Sequence, residues 1–156
     1  MLILVSLVAV VAAYCMNLIR NAEREYSAYR RLCELGASGD DWVSFNEFIT
    51  GRPPIVQIDI PKETPQNVAF ELLPNLNNLE SLSIEYDSLT NDDLNVLLKL
   101  ELHTLEFKGE FPFDVYVQRL SLLRSLKFVY IRKNQLSADY LARLRSMLPR
   151  TKIVTR

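Results

Sequence analysis

The 156-residue chain is short of the raw material for most site chemistry. It has four glycines, so phosphate-cradling loops have little to be built from. One histidine excludes a histidine metal cluster, and two cysteines, Cys15 and Cys33, exclude a disulfide scaffold. No Cys-x-x-Cys, His-x-x-x-His or Gly-x-Ser-x-Gly is present. Charge of one sign is lacking too. The net charge is −1, which gives no global pull toward nucleic acid. No cofactor, no metal and no nucleic-acid partner are expected. Apolar residues at 49% and charged residues at 24% are those of an ordinary globular chain of about one domain.

The residues that are present are unevenly placed. Residues 1–54 have 5 Lys/Arg against 6 Asp/Glu, residues 55–114 have 3 against 12, and residues 115–156 have 10 against 1. The first residues are apolar: Leu2 to Met16 carries no charge, and Asn17, Leu18 and Ile19 extend the run to Arg20. Eighteen helical residues rise about 27 Å, just enough to cross a hydrocarbon core of about 30 Å. Residues 1–19 therefore read as a transmembrane anchor. A signal peptide cleaved near Val11-Ala12-Ala13, giving a secreted protein, is the alternative, but no positive region precedes the run. A lipoprotein is disfavoured because Tyr14, not a small residue, precedes Cys15. Arg20, Arg24, Arg30 and Arg31 favour a cytoplasmic side for the residues after the run. Basic residues upstream of Met1 would reverse that orientation. Cys15 reads as a small hydrophobe.

Residues 20–36 read as a juxtamembrane or stalk helix. Tyr26, Tyr29, Leu32, Cys33 and Leu35 recur at threes and fours, and Gly36 stands where a helix C-cap glycine belongs. Cys33, on that stripe, is expected to be packed. Residues 37–54 read as an N-terminal cap, with Asp40-Asp41 in a solvated turn and Trp42, Phe45 and Phe48 covering the edge of the first repeat.

From residue 55 the chain repeats. Ile55-x-x-Ile58-x-Ile60, Leu79-x-x-Leu82-x-Ile84, Leu102-x-x-Leu105-x-Phe107, Leu126-x-x-Val129-x-Ile131 and Ile153 centre on positions 58, 82, 105, 129 and 153. The steps are 24, 23, 24 and 24. Three further registers run in phase: Phe70, Leu94, Val117, Leu141; then Leu73, Leu97, Leu120, Leu144; then Leu76, Leu100, Leu123, Met147. Alternation predicts a short strand and the wider spacing a helix with its apolar stripe inward. Thr90-Asn-Asp-Asp93 and Ser137-Ala-Asp139 supply helix N-caps. A single unit cannot bury its apolar face, whereas stacked neighbours can.

The segments LNNLESLSIEYDSLTNDDLNVLL and LRSLKFVYIRKNQLSADYLARLRSMLP resemble leucine-rich repeats, similar to the αβ ribonuclease-inhibitor-like type. The likeness covers residues 55–156. More loosely, with residues 1–36, the chain resembles small bacterial leucine-rich-repeat proteins with one membrane segment and an arginine/glutamate-rich helix. The resemblance implies an α/β fold: a short right-handed solenoid of parallel strands over residues 55–156, preceded by the transmembrane and stalk helices. One departure concerns the position after each strand that is usually Asn. Here it is Glu63, Asp87, Glu110 and Asn134, which puts an asparagine ladder in doubt.

No catalytic constellation emerges. His103 lies beside Glu101 and Glu106, but an acid/base pair needs a cleft and a second partner. Asp92-Asp93 is explained by helix-start capping. An enzyme is not expected. The working surface is read as the outward strand face: Gln57 and Asp59; Ser81, Ser83 and Glu85; Thr104, Glu106 and Lys108; Phe128, Tyr130 and Arg132. It runs from small and acidic to aromatic and basic, and aromatics with Arg dominate interface energetics. The charge split has two readings: neighbouring turns neutralise one another, or the basic end meets anionic headgroups or an acidic partner. Lys152 and Arg156 are expected to guard the last strand's open edge. Two functions are compatible with this pattern. One is a membrane-anchored module presenting the strand face to a protein partner. The other is a structural subunit assembling through its transmembrane and stalk helices.

Overall fold

A computed structural model describes residues 2–41, 55–109, 113–132 and 137–156, and the side chains of these except 2–8, 40, 41 and 113–115. A long helix, α1 (Leu2–Glu34), precedes strand β1 (Ser38–Asp41). Strand and helix then alternate: β2 (Ile55–Ile60), α2 (Gln66–Leu72) with a 3-10 turn (Leu73–Asn75), β3 (Ser81–Ile84), α3 (Asn91–Leu97), β4 (Thr104–Phe107), α4 (Phe113–Leu120), β5 (Phe128–Ile131), α5 (Ala138–Met147) and β6 (Lys152–Thr155). The six strands of the described residues form one sheet in chain order. β1 is antiparallel to β2, and β2 to β6 are parallel. The expected α/β architecture with parallel strands is therefore present.

Register tracks the repeat. Ile58, Leu82, Leu105, Val129 and Ile153 are successive partners across the sheet. Ile60, Ile84, Phe107 and Ile131 make a second row. Both rows are buried, together with Ile55, Leu79, Leu102 and Leu126 ahead of them. A one-residue slip would turn every one of these side chains to the other face, so burial pins the pairing. The helices close the core with Phe70, Leu94 and Val117, then Leu73, Leu97, Leu120 and Leu144. In the last unit the residue after α5, Leu148, is buried, whereas Met147 is only half-buried.

The helix starts obey the capping chemistry. Thr90 Oγ1 accepts from the Asp93 N–H at 3.2 Å, and the Asp93 carboxylate accepts from the Thr90 N–H at 2.7 Å, a closed capping box. Ser137 Oγ accepts from the Tyr140 N–H. Two of the segments that follow the strands are tied by tyrosine. Tyr86 donates to the Thr64 carbonyl at 2.8 Å and Tyr116 to the Leu89 carbonyl at 2.7 Å. At the asparagine positions themselves, Asp87 pairs with Lys62, while Glu110 and Asn134 lie outside the described residues. Gly109 is required by a close approach: a Cβ there would collide with the Tyr86 carbonyl oxygen.

Several expectations need correction at the N-terminal end. α1 is one helix across residues 19 and 20, where anchor and stalk were to divide. Among the described residues no helix is long and apolar enough to cross a membrane. The side chains of residues 2–8, which hold much of the apolar run, are not among those described. The helix ends as expected at Gly36, whose φ is +101°. Ala37 N–H reaches the Leu32 carbonyl and Gly36 N–H the Cys33 carbonyl, the two bonds of a Schellman motif. The buried face, however, is Glu25, Ala28 and Leu32, and Cys33 is exposed. Of the expected stripe, Leu32 is buried and Tyr29 packs against the core, while Glu25 escaped an apolar count because it is a carboxylate. Glu25 is 6% exposed and accepts from the Ile55 N–H and from Asn78 Nδ2. Tyr29 donates to the Gly39 carbonyl, and Thr64 donates to the Leu35 carbonyl. The second half of α1 and β1 thus cover the start of the sheet. Asp40 and Asp41 belong to β1, paired with Gln57 and Ile55, and not to a turn. Trp42, Phe45 and Phe48 lie outside the described residues.

Candidate functional site

The sheet brings the outward residues into rows. Gln57, Ser81, Thr104 and Phe128 are register partners, and so are Asp59, Ser83, Glu106 and Tyr130. Glu85, Lys108 and Arg132 come just after the strand ends, where the parallel ladder continues through the Glu85 and Lys108 N–H groups. Most of these side chains are half-buried, while Gln57 and Arg132 are exposed. Ser83 departs from the expectation: it is only 7% exposed. Neither Ser83 Oγ nor Asp59 Oδ1 has a hydrogen-bond partner among the described residues.

Charge on this face is balanced across alternate strands. Lys108 reaches back over β3 to Asp59, Arg132 over β4 to Glu85 at 3.5 Å, and Arg156 over β5 to Glu106 at 3.6 Å. Each pair joins a basic residue to an acidic one two strands before it. The acid-to-base gradient along the chain is thereby largely cancelled on the face itself. Exposed pairs of this kind contribute about 0–1 kcal/mol each, so they set the local potential more than they hold the fold. A basic end open to an anionic partner has less support here, because two of its cations, Arg132 and Arg156, are engaged within the molecule.

The aromatic end is more distinctive. Phe128 and Tyr130 are stacked, with ring centroids 6.3 Å apart and planes 18° apart. The Arg156 guanidinium lies over the Tyr130 ring, 4.0 Å from its centroid, a cation–π contact. Sequence reasoning missed Arg156 as a member of this face and placed it as an edge guard. The signal was available, because Lys152-Ile153-Val154-Thr155-Arg156 continues both the alternation and the 24-residue phase. The strand around Ile153 was expected and is present, but its outward residues were not placed on this face. Lys152 and Val154 join it as partners of Phe128 and Tyr130.

His103 lies elsewhere. Its Nδ1 is 3.1 Å from Glu80 Oε2, and not on Glu101 or Glu106. The pair borders a groove of about 560 Å³ that Val56, Asn77, Asn78 and Glu101 also line. Among the described residues no serine, threonine or cysteine lines it to serve as a nucleophile. Nor do any three His, Cys, Asp or Glu side chains among them converge as a metal site. Tyr86 has a shifted titration: its phenol is pushed up to about 12 by burial and then by the nearby Asp93 charge. Its hydroxyl serves the Thr64 carbonyl behind the face. No protein-family model matches the chain, and no curated protein matches it.

Proposed function

We propose that the chain is a non-enzymatic, membrane-anchored recognition module: a short right-handed leucine-rich-repeat solenoid whose strand face binds a protein partner. The observation that supports this best is the register itself. Five parallel strands hold their outward residues in rows, ending in the Phe128–Tyr130–Arg156 stack. Stacked aromatics beside arginine are rigid, low-entropy contact area of the kind that carries interface energy. The half-buried polar residues around them supply a rim. Because the ion pairs leave the face near neutral, its partner is selected by shape and aromatic packing more than by charge.

The anchor belongs to the same reading. Residues 9–20 of α1 are exposed except for Cys15 and Leu18, with Val10 66% and Tyr14 63% exposed. Apolar residues this open on every side of a helix are stable in lipid. Residues 2–19 are the span, single-pass, and Arg20 and Arg24 follow at its charged end. The rival, a subunit assembling through its helices, has less support, since the stalk face Glu25–Ala28–Leu32 is already used inside the molecule.

Photo-crosslinking in the native cell tests the proposal. A crosslinking residue at position 128 captures a defined partner, one at Glu71 on the outside of α2 does not, and Tyr130→Ala with Arg132→Ala abolishes the capture. Equal capture from both positions, or capture indifferent to the double substitution, counts against this face.

A further inference from the structure

Where the open half of α1 meets the body of the molecule, the helix leaves a groove of about 560 Å³ against the 3-10 turn. Arg20, Glu23, Arg24 and Arg31 line it from the helix, and Leu72 from the other side. The four charged residues are not equivalent. At 1.5 Å per residue, Arg20 and Arg24 stand about 1.5 and 7.5 Å beyond Ile19, the last exposed apolar residue of the run. A headgroup layer is about 5–7.5 Å deep, so Arg20 stands within it and Arg24 at its outer limit. Arg31 stands about 18 Å beyond Ile19, outside the layer. It is also already paired with Glu34 at 2.9 Å. Arg30 is turned to the Tyr26 ring. Arg20 and Arg24 have no acidic or aromatic partner among the described residues.

We infer that Arg20 and Arg24 bind the phosphate of an anionic phospholipid at the mouth of this groove. The inference rests on the anchor reading. A guanidinium fork matches two phosphate oxygens, and two forks one turn apart on a helix converge on one headgroup. Glu23 lies between them and keeps the net charge of the site at one positive, which favours a singly charged lipid such as phosphatidylglycerol. An anionic membrane leaflet supplies such lipids.

The full chain in neutral detergent micelles is titrated with phosphatidylglycerol, with phosphatidylcholine and with inorganic phosphate, and the retained lipid is read by native mass spectrometry. Phosphatidylglycerol is retained over phosphatidylcholine. Arg20→Gln and Arg24→Gln each weaken retention about fivefold. Arg31→Gln leaves it unchanged and Glu23→Gln strengthens it. Circular dichroism melts show each exposed-site variant folded. Equal retention of the two lipids, or an Arg31→Gln effect as large as that of Arg20→Gln, overturns the site. Displacement of the lipid by inorganic phosphate at comparable concentration overturns it as well, assigning the groove to free phosphate. Flotation on pure phosphatidylcholine vesicles tests the anchor separately. Flotation without lipid preference sinks the headgroup site alone, and failure to float sinks the anchor reading beneath it.

Discussion

At the scale of single residues, three side chains show what the fold depends on. Leu105 sits fully buried at the centre of the repeat row, flanked by Leu82 and Val129. Leu105→Ala removes its packing on both neighbours and leaves a cavity, so urea unfolding is expected to show a loss of about 2–5 kcal/mol. Glu25 is a different case, since its carboxylate is buried because two donors face it. Glu25→Ala leaves the Ile55 N–H and Asn78 unsatisfied, with an expected loss of about 1–3 kcal/mol in the same measurement. Tyr86 adds a pH signature. Its phenol keeps its proton up to about pH 12 in the folded chain but ionises near 10 when unfolded. Below pH 10 both states hold the proton and stability is indifferent to it. Between 10 and 12 only the folded state holds it, so stability falls with rising pH by about 2–3 kcal/mol. Tyr86→Phe removes that alkaline step, as thermal melts across this range would show. The period made Leu105 legible in the sequence. Glu25 and Tyr86 were not legible, because their roles come from donors and acceptors far along the chain.

At the scale of elements, local rules and tertiary packing divide the labour. α3 carries its own start signal, and Thr90→Ala opens the capping box at an expected cost of about 1 kcal/mol. α2 has Pro65 at its cap with no side-chain bond, so a comparable substitution there has nothing to remove. The N-caps of α3 and α5 and the Gly36 stop were readable because each depends on neighbours within four residues. The continuity of α1 was not. Its apolar half and its charged half look like two objects in composition, yet nothing between Ile19 and Arg20 breaks a helix: no proline or glycine intervenes. The strand rows were legible by alternation. Burial of Ser83 was not, because its register partners Asp59 and Glu106 stand on adjacent strands, more than 20 residues away in sequence.

At the scale of the whole molecule, the division between the open and the packed part of α1 lies within the helix. Residues 9–20 are open, while Glu25, Ala28 and Leu32 belong to the core. Removing residues 1–19 is expected to leave a folded chain with nearly unchanged melting. Removing residues 1–36 strips the cover from β2 and the 3-10 turn, and should give an aggregating or unfolded product in size-exclusion chromatography. Stability in high salt should barely change, since the cross-strand ion pairs are largely exposed and contribute little.

Period alone dictated the parallel strands and their register, because apolar side chains returning every two dozen residues can leave water only by lying over their counterparts one unit away. Which charges cancel, which carboxylate is buried and which arginines stay open were decided by the tertiary structure. Those outcomes depend on distances between residues roughly 50 positions apart, such as Asp59 and Lys108 or Glu25 and Asn78, and a one-dimensional pattern holds no record of them.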